Sequence, residues 1–148
     1  MDKRTVLVTG GTRGIGKAIV LKFASLNYNI ISCGRNEKLL TELQDELSAQ
    51  GVDHYVARCD LRNKEAIHTF FTNAMEKFDG VDVVVNNAGV FHPGEIENEP
   101  DEMFEVMMET NLNATYHFSK LSIPYLKKSP LGHLFNICST ASITPYKN

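Results

Sequence analysis

The stretch TVLVTGGTRGIG, residues Thr5 to Gly16, joins a β-branched apolar run to a cluster of glycines. The run Thr5–Thr9 predicts a short strand, and apolar residues at helical spacing from Ile15 to Leu26 predict a helix directly after the glycines. A glycine-rich turn between a strand and a helix lets main-chain N–H groups approach a pyrophosphate at the positive end of the helix. The stretch therefore predicts a dinucleotide-binding turn in the first β-α unit of an α/β domain.

The glycines of this turn have distinct expected roles. Gly10 permits the tight turn, Gly14 permits close approach of the phosphates, and Gly16 lets the helix pack against the strand. A turn that binds nothing is the structural alternative. Gly11–Lys17 also fits the GxxxxGK pattern of a P-loop, but Ala18 stands where that motif needs a hydroxyl for Mg²⁺. The dinucleotide interpretation is therefore preferred.

The rest of the chain alternates short apolar runs with longer amphipathic stretches. Strands are predicted at Asn29–Cys33, His54–Arg58, Val81–Asn86 and Leu131–Ile137, and helices at Asn36–Gln50, Asn63–Phe78 and about Pro100–Tyr125. Strict alternation of strand and helix predicts an α/β fold, a doubly wound parallel sheet (Rossmann fold) with strand order 3-2-1-4-5. The binding crevice is expected beside strands one and four, where that order reverses.

Composition limits the function classes. The 148 residues suit one domain, and 43% hydrophobic with 22% charged residues is typical of soluble globular proteins. A net charge of -3 provides no basic surface for nucleic acid, and no apolar run is as long as a membrane span. The three cysteines lack a CxxC pattern, so we expect reduced thiols, mostly buried, with no metal site. With no signal peptide recognised, the expected location is cytoplasmic.

Four ordered motifs resemble those of the classical short-chain dehydrogenase/reductase family. Thr9–Gly16 has the TGxxxGxG spacing of that family rather than the TGxxGxxG of its extended relatives. The other three are Cys59–Leu61 after strand three, Asn86–Gly89 after strand four, and Asn136–Ser139 after strand five. The resemblance covers the whole chain.

The resemblance implies a set of cofactor-binding residues. Asp60 corresponds to the family's contact to the adenine amino group, although an aspartate here also suits the capping of the following turn. The asparagines of Asn86–Gly89 have a similar alternative role in turning the chain at the strand end. The expected cofactor-binding residues are Gly10, Thr12, Arg13, Gly14, Ile15, Gly16, Arg35, Asp60, Leu61, Asn87, Ala88 and Gly89.

Two arginines favour NADP(H) over NAD(H). An acidic residue after strand two would hydrogen-bond the adenosine ribose and repel a 2′-phosphate. That position is Gly34, followed by Arg35, and Arg13 lies in the glycine turn on the other side of the expected phosphate. A guanidinium suits phosphate because it forms planar, charge-assisted hydrogen bonds. The alternative for either arginine is a solvated surface charge.

The resemblance also implies catalytic residues. Asn111 corresponds to the family's helical asparagine, which supports a proton relay, and Ser139 to the serine that orients the substrate oxygen. The alternatives are an exposed helical amide and an ordinary surface hydroxyl. The family's tyrosine and lysine, a YxxxK pair that handles the proton, should follow Ser139 by about a dozen residues, and the sequence given stops at Asn148 before reaching them.

Two tyrosines do not fit that pair. Tyr116–Lys120 spells YxxxK but precedes Ser139, so Tyr116 is predicted to be a packing residue and Lys120 a solvated one. Tyr146–Lys147 follows Ser139 too closely and has no lysine four residues later. We therefore interpret residues 1–148 as the N-terminal part of a single dinucleotide-binding domain, incomplete after strand five.

The preferred function is an NADP(H)-dependent oxidoreductase that transfers a hydride between nicotinamide and a small-molecule carbonyl or secondary alcohol. The alternative is a non-catalytic dinucleotide-binding sensor or scaffold, and a third is a domain with no ligand. The 148-residue chain by itself is expected to bind cofactor with little or no turnover. The resemblance suggests a homodimer or homotetramer built partly on the long helix, although its apolar residues Met103, Phe104, Val106 and Met107 suit packing on its own sheet equally well.

Overall fold

A computed structural model describes residues 3–144 of the chain. Its five parallel strands are ordered β3-β2-β1-β4-β5, which confirms the predicted fold and strand order. The strands are β1 Thr5–Thr9, β2 Asn29–Gly34, β3 His54–Arg58, β4 Val83–Asn86 and β5 His133–Asn136. The α-helices are α1 Gly14–Ser25, α2 Glu37–Ala49, α3 Lys64–Phe78, α4 Asp101–Met107 and α5 Ala114–Leu126.

The central strand is buried on both faces. Side chains of β1 alternate between two apolar clusters: Leu7 packs with Phe118 of α5, and Val8 packs with Val20 of α1. β1 pairs with β2 on one side and with β4 on the other, where Leu7 lies opposite Val84. Burial on both faces is the reason these strands are continuous apolar runs.

Several helix ends follow local sequence rules. The Asn36 side chain accepts a hydrogen bond from the N–H of Leu39 at 3.1 Å, and that of Asn63 accepts from Ala66 at 2.8 Å. Both asparagines therefore cap the helix that follows, as asparagine commonly does. Gly51, with φ of +67°, ends the α2 segment in the left-handed conformation that favours glycine.

The predicted single helix from Pro100 to Tyr125 is wrong in its middle. Residues Met108–Asn113 form a π-helical turn between α4 and α5. A π turn accommodates one extra residue without ending the helix, so the apolar spacing on either side remains helical and gives no warning of it. This turn contains Asn111.

Helices α4 and α5 carry several exposed apolar residues. α4 buries none of its residues, and Phe104 is 60% exposed. The prediction that Tyr116 is a packing residue is wrong, because 57% of it is exposed. Within residues 3–144, no helix combines the length and hydropathy needed to cross a membrane.

Candidate dinucleotide site

A cavity of about 330 Å³ lies at the carboxyl ends of the central strands. It is placed where strand order reverses between β1 and β4, the position at which doubly wound sheets bind their ligands. All twelve residues predicted to bind the cofactor line it, together with Cys33, Gly34, Cys59, Val90 and Thr110. The fold thus brings residues from four separate loops to one surface.

The N-terminus of α1 faces this cavity without a cap. Arg13, in the N-cap position, makes no side-chain hydrogen bond to the helix, and the first turn contains no acidic residue. The first N–H groups of the helix and its positive dipole end therefore remain available for an anion. Gly14 has φ of +54° and open space where a side chain would begin. The arrangement fits a pyrophosphate.

Gly16 is required by close packing. A Cβ at this position would collide with the carbonyl oxygen of Gly10 and with the side-chain amide of Asn87. The absence of a side chain therefore allows α1 to begin directly against the ends of β1 and β4. The role predicted for Gly16 in helix–strand packing is consistent with this contact.

Asn87 and Thr9 join the two strands that flank the cavity. The hydroxyl oxygen of Thr9 accepts the N–H groups of Asn87 and Ala88, each at 3.0 Å. The side-chain amide of Asn87 donates to the carbonyl oxygen of Thr9 at 2.9 Å. The structural role of Asn87 in the strand-end turn is therefore present, and Thr9 is a site-building residue that sequence reasoning did not single out.

Arg13 and Arg35 both line the cavity and are both exposed. Gly34 precedes Arg35 at the end of β2. A Cβ added to it would lie 3.0 Å from the Thr12 side chain. Among the described lining residues, the only carboxylate is that of Asp60. The cavity is thus lined by one arginine after β2 and one at the start of α1, and no carboxylate at the end of β2 would repel a phosphate.

Asp60 is held by an arginine two residues away. Its carboxylate accepts hydrogen bonds from Nε and Nη2 of Arg62 at 3.1 and 2.7 Å, and from the Arg62 main-chain N–H at 3.1 Å. The Arg62 guanidinium lowers the pKa of Asp60 to about 2. The turn-capping role left open by the sequence is therefore real, and the carboxylate stays ionised at the rim of the cavity.

Asn111 clamps the loop after β4. Its Oδ1 accepts the N–H of Val90 at 2.8 Å, and its Nδ2 donates to the Val90 carbonyl at 2.9 Å. Val90 lines the cavity but Asn111 does not, so this exposed amide acts on the cavity wall through the loop. The side chain that makes both bonds therefore belongs to the π turn.

Ser139 lies just beyond β5. Its Oγ accepts the N–H of Ala141 at 3.1 Å and so caps a short 3₁₀ turn, Thr140–Ser142. Ser139 is exposed and does not line the cavity. The sequence pair Tyr146–Lys147 lies outside the described residues.

Two of the three cysteines are buried at the cavity. Cys33 and Cys59 line it, whereas Cys138 is exposed near Ser139. A hydrogen bond with Cys59, together with burial, raises the pKa of the Cys33 thiol. Cys33 is therefore a neutral thiol that contributes to the packing of the cavity floor.

The family model described as short chain dehydrogenase matches residues 4–148. The chain belongs to the short-chain dehydrogenase family. The resemblance stated from the sequence is confirmed.

Curated relatives of this short-chain dehydrogenase are longer than the chain. Hydroxysteroid dehydrogenase-like protein 2 of Mus musculus is 36% identical over an alignment of 148 positions that covers 95% of this chain and 30% of the relative. NADP-dependent 3-hydroxy acid dehydrogenase YdfG of Escherichia coli (strain K12) is 34% identical over 142 residues, 95% of this chain and 56% of the relative. The chain spans about a third of the first protein and little more than half of the second.

Solved short-chain dehydrogenase structures superpose closely. A metagenomic short-chain oxidoreductase in complex with NADP has a TM-score of 0.89 at 31% identity, covering 97% of this chain and 65% of that one. A variant of actinorhodin polyketide ketoreductase with NADPH has a TM-score of 0.91 at 30% identity, covering 98% and 56%.

Proposed function

We propose that this short-chain dehydrogenase is an NADP(H)-dependent oxidoreductase acting on a carbonyl compound or secondary alcohol. The observation that carries the proposal is the cavity at the uncapped N-terminus of α1, lined by all twelve predicted cofactor residues. A helix N-terminus with free N–H groups favours a pyrophosphate. The described residues would form the N-terminal part of the catalytic domain.

Within this proposal, Arg13 and Arg35 hold the 2′-phosphate of NADP(H). Both are exposed cations on the cavity wall, and Gly34 leaves the end of β2 without a carboxylate. The names of the relatives support the same choice, because YdfG is called NADP-dependent and two superposable structures contain NADP or NADPH. Asp60 would meet the adenine.

The chemistry divides between cofactor and protein. NADP(H), when bound, supplies or accepts the hydride. Ser139 Oγ would orient the substrate oxygen by a hydrogen bond, and Asn111 would hold the loop at Val90 that borders the nicotinamide end. The tyrosine and lysine of the resemblance would move the proton, and their place in the family's order follows residue 148.

The proposal is tested by titration and by turnover. NADPH should bind the full polypeptide at least about tenfold more tightly than NADH, since a hydrogen bond to a charged group contributes about 1.5–3 kcal/mol. The full polypeptide should also oxidise NADPH with ethyl acetoacetate, or reduce NADP⁺ with ethyl 3-hydroxybutanoate. Equal affinity for both cofactors would exclude the NADP(H) assignment.

A second candidate is a dinucleotide-binding module without catalysis. Neither predicted catalytic residue, Asn111 or Ser139, lines the cavity, and that observation favours it. NADPH binding with no turnover of either test compound by the full polypeptide would support the module. Ethyl acetoacetate reduction that is lost in a Ser139→Ala variant would support the enzyme.

The apolar surface of α4 and α5 supports a further proposal, that the chain forms a homodimer or homotetramer through this face. Four exposed apolar residues recur at a spacing of four across the π turn: Phe104, Met108, Leu112 and Tyr116. They form a stripe on the side of the helices away from the sheet. A contiguous exposed apolar surface commonly marks an interface.

A further inference from the structure

Asn86, the last residue of β4, is buried but does not belong to the cavity. Its side chain is 3% exposed, and it is absent from the residues that line the cavity. Both side-chain N–H groups have acceptors: Nδ2 donates to Ser119 Oγ at 3.1 Å and to Asn136 Oδ1 at 2.9 Å. The main-chain carbonyl oxygen of Asn86 also accepts the N–H of Ile137 at 2.9 Å. The buried side-chain amide of Asn86 therefore connects β4 with α5 and with β5.

The first of these bonds leads to Asn111. Ser119 lies on α5, eight residues after Asn111 in the same continuous helical segment. Midway between them, Thr115 Oγ1 donates to the Asn111 carbonyl oxygen at 2.9 Å. The residues Asn111, Thr115 and Ser119 follow one another at a spacing of four, so they share one side of the helix. A shift of α5 relative to Asn86 would therefore move Asn111 and its clamp on Val90.

The second bond leads to Ser139. Asn136 is the last residue of β5 and lies opposite Asn86 in the sheet register. Ser139 follows three residues later, in a segment whose first N–H, that of Ile137, is bound by the Asn86 carbonyl. β5 is a sheet edge within the described part of the chain, so the Asn86 side chain adds a tie where main-chain pairing exists on one side only.

We propose that Asn86 is a positioning residue that fixes Asn111 and Ser139 relative to each other. The inference rests on the proposed function for the roles of those two residues, and on the structure for the bridge. A neutral amide is suited to this place because a single nitrogen donates to both acceptors. Leucine branches at the same carbon but donates nothing, so Asn86→Leu would break both ties without leaving a cavity.

The bridge is separate from cofactor binding. The bonds that shape the cavity at this strand end belong to the next residue, Asn87, and to Thr9. Replacement of Asn86 is therefore expected to lower kcat while the Kd for NADPH stays within about twofold. A residue that only stabilised the fold would lower the melting temperature without separating these two quantities.

The experiment compares four variants of the full polypeptide, assayed with NADPH and ethyl acetoacetate. Asn86→Leu breaks both ties, while Ser119→Ala and Asn136→Leu break one each. Ser122→Ala is the matched control, because Ser122 is equally buried on α5 and its hydroxyl has no hydrogen-bond partner among the described residues. We expect kcat to fall on the order of 10- to 100-fold in Asn86→Leu, as for a misplaced catalytic group. Smaller losses are expected in the single-tie variants, and none in the control.

Hydrogen–deuterium exchange of the same variants reports on the bridge without any turnover. Asn86→Leu should speed exchange of the Ile137 amide and of residues 139–142, and Ser122→Ala should not. A wild-type protein that binds NADPH but reduces no test compound would contradict the proposed function, and the exchange result would still decide the bridge. Unchanged exchange in Asn86→Leu, or equal losses of kcat in Asn86→Leu and Ser122→Ala, would overturn the inference. If Asn86→Leu does not fold, the two single-tie variants decide it by the same criteria.

Discussion

Thr9 Oγ1 lies 3.0 Å from the main-chain nitrogen of Asn87 and 3.0 Å from that of Ala88. One hydroxyl at the end of β1 therefore satisfies two consecutive N–H groups at the end of β4. Thr9 is 3% exposed, so water cannot replace it. A buried N–H without an acceptor is costly, which makes this hydroxyl a structural element of the cavity wall.

We expect Thr9→Val to destabilise the protein and weaken NADPH binding together. Valine keeps the shape but leaves two N–H groups without an acceptor, at a cost of about 1–3 kcal/mol for each group left unsatisfied. Urea unfolding would measure the change in free energy, and fluorescence titration the Kd. Thr72→Val, at an exposed position on α3, is the control and should change neither. A Thr9→Val protein of wild-type stability would contradict the role assigned to the hydroxyl.

Gly16→Ala is expected to weaken NADPH binding. The added Cβ would overlap the Gly10 carbonyl and the Asn87 amide, so α1 must move away from the strand ends. Overpacking of this kind typically costs about 1–3 kcal/mol. Gly94→Ala is the matched control, because no atom lies within 4 Å of its added Cβ. Melting temperature and NADPH Kd measured for both variants would check the difference.

The sequence predicted the sheet and the cavity well, for a physical reason. Apolar runs such as Val83–Asn86 and the glycine turn Thr9–Gly16 encode local conformation directly. Once strand order is fixed by short right-handed connections, the strand ends must meet at one edge of the sheet. This explains why eleven residues from three of the motifs, together with Arg35, line the same cavity.

Other features depend on partners that are distant in sequence. Nothing in the sequence around Asn111 announces a π turn, because that conformation places Asn111 against Val90, 21 residues earlier. Tyr116 was expected to pack because it is aromatic within an amphipathic helix, but it lies on the face away from the sheet. The bridge from Asn86 to Ser119 and Asn136 likewise needs three elements in place. Such contacts follow from tertiary geometry rather than from local pattern.

Arg13→Gln and Arg35→Gln should each raise the Kd for NADPH about tenfold or more and leave the Kd for NADH unchanged. In the proposed site, each change would remove a charge-assisted hydrogen bond to the 2′-phosphate, which NADH lacks. Arg4→Gln is the control, since Arg4 is exposed but lies just before β1, away from the cavity. Titrations at low and high salt would check that the preference for NADPH is electrostatic, because salt screening should narrow the difference between the Kd values for NADPH and NADH. Equal loss of NADH affinity would show that the arginines act on another part of the cofactor.

Charged substitutions in the apolar stripe on α4 and α5 are expected to change the oligomeric state. Phe104→Asp and Tyr116→Asp each place a charge on a surface that is exposed in the single chain, so the isolated protomer should fold normally. In an assembled interface the same charge would be buried without a partner, which is strongly unfavourable. Light scattering after size-exclusion chromatography should show a lower particle mass for both variants. The control Thr72→Asp, on α3, should leave the particle mass unchanged. A wild-type protein that is monomeric at high concentration would contradict the proposed interface.

The ion pair between Asp60 and Arg62 predicts how stability depends on pH. The pKa of Asp60 is lowered from 3.8 to about 2 because Arg62 binds the ionised carboxylate. A lowered pKa in the folded state means that the pair stabilises the protein fully above about pH 4, and that this contribution disappears as the pH falls towards 2.

Urea unfolding at about pH 5 and about pH 3 should therefore show a difference in unfolding free energy between wild type and Asp60→Asn that shrinks at the lower pH. Arg62→Met should abolish the same pH-dependent contribution, whereas Arg58→Met, at an exposed arginine on β3, should retain it. A wild-type to Asp60→Asn difference that stays constant between the two pH values would show that Arg62 does not lower this pKa.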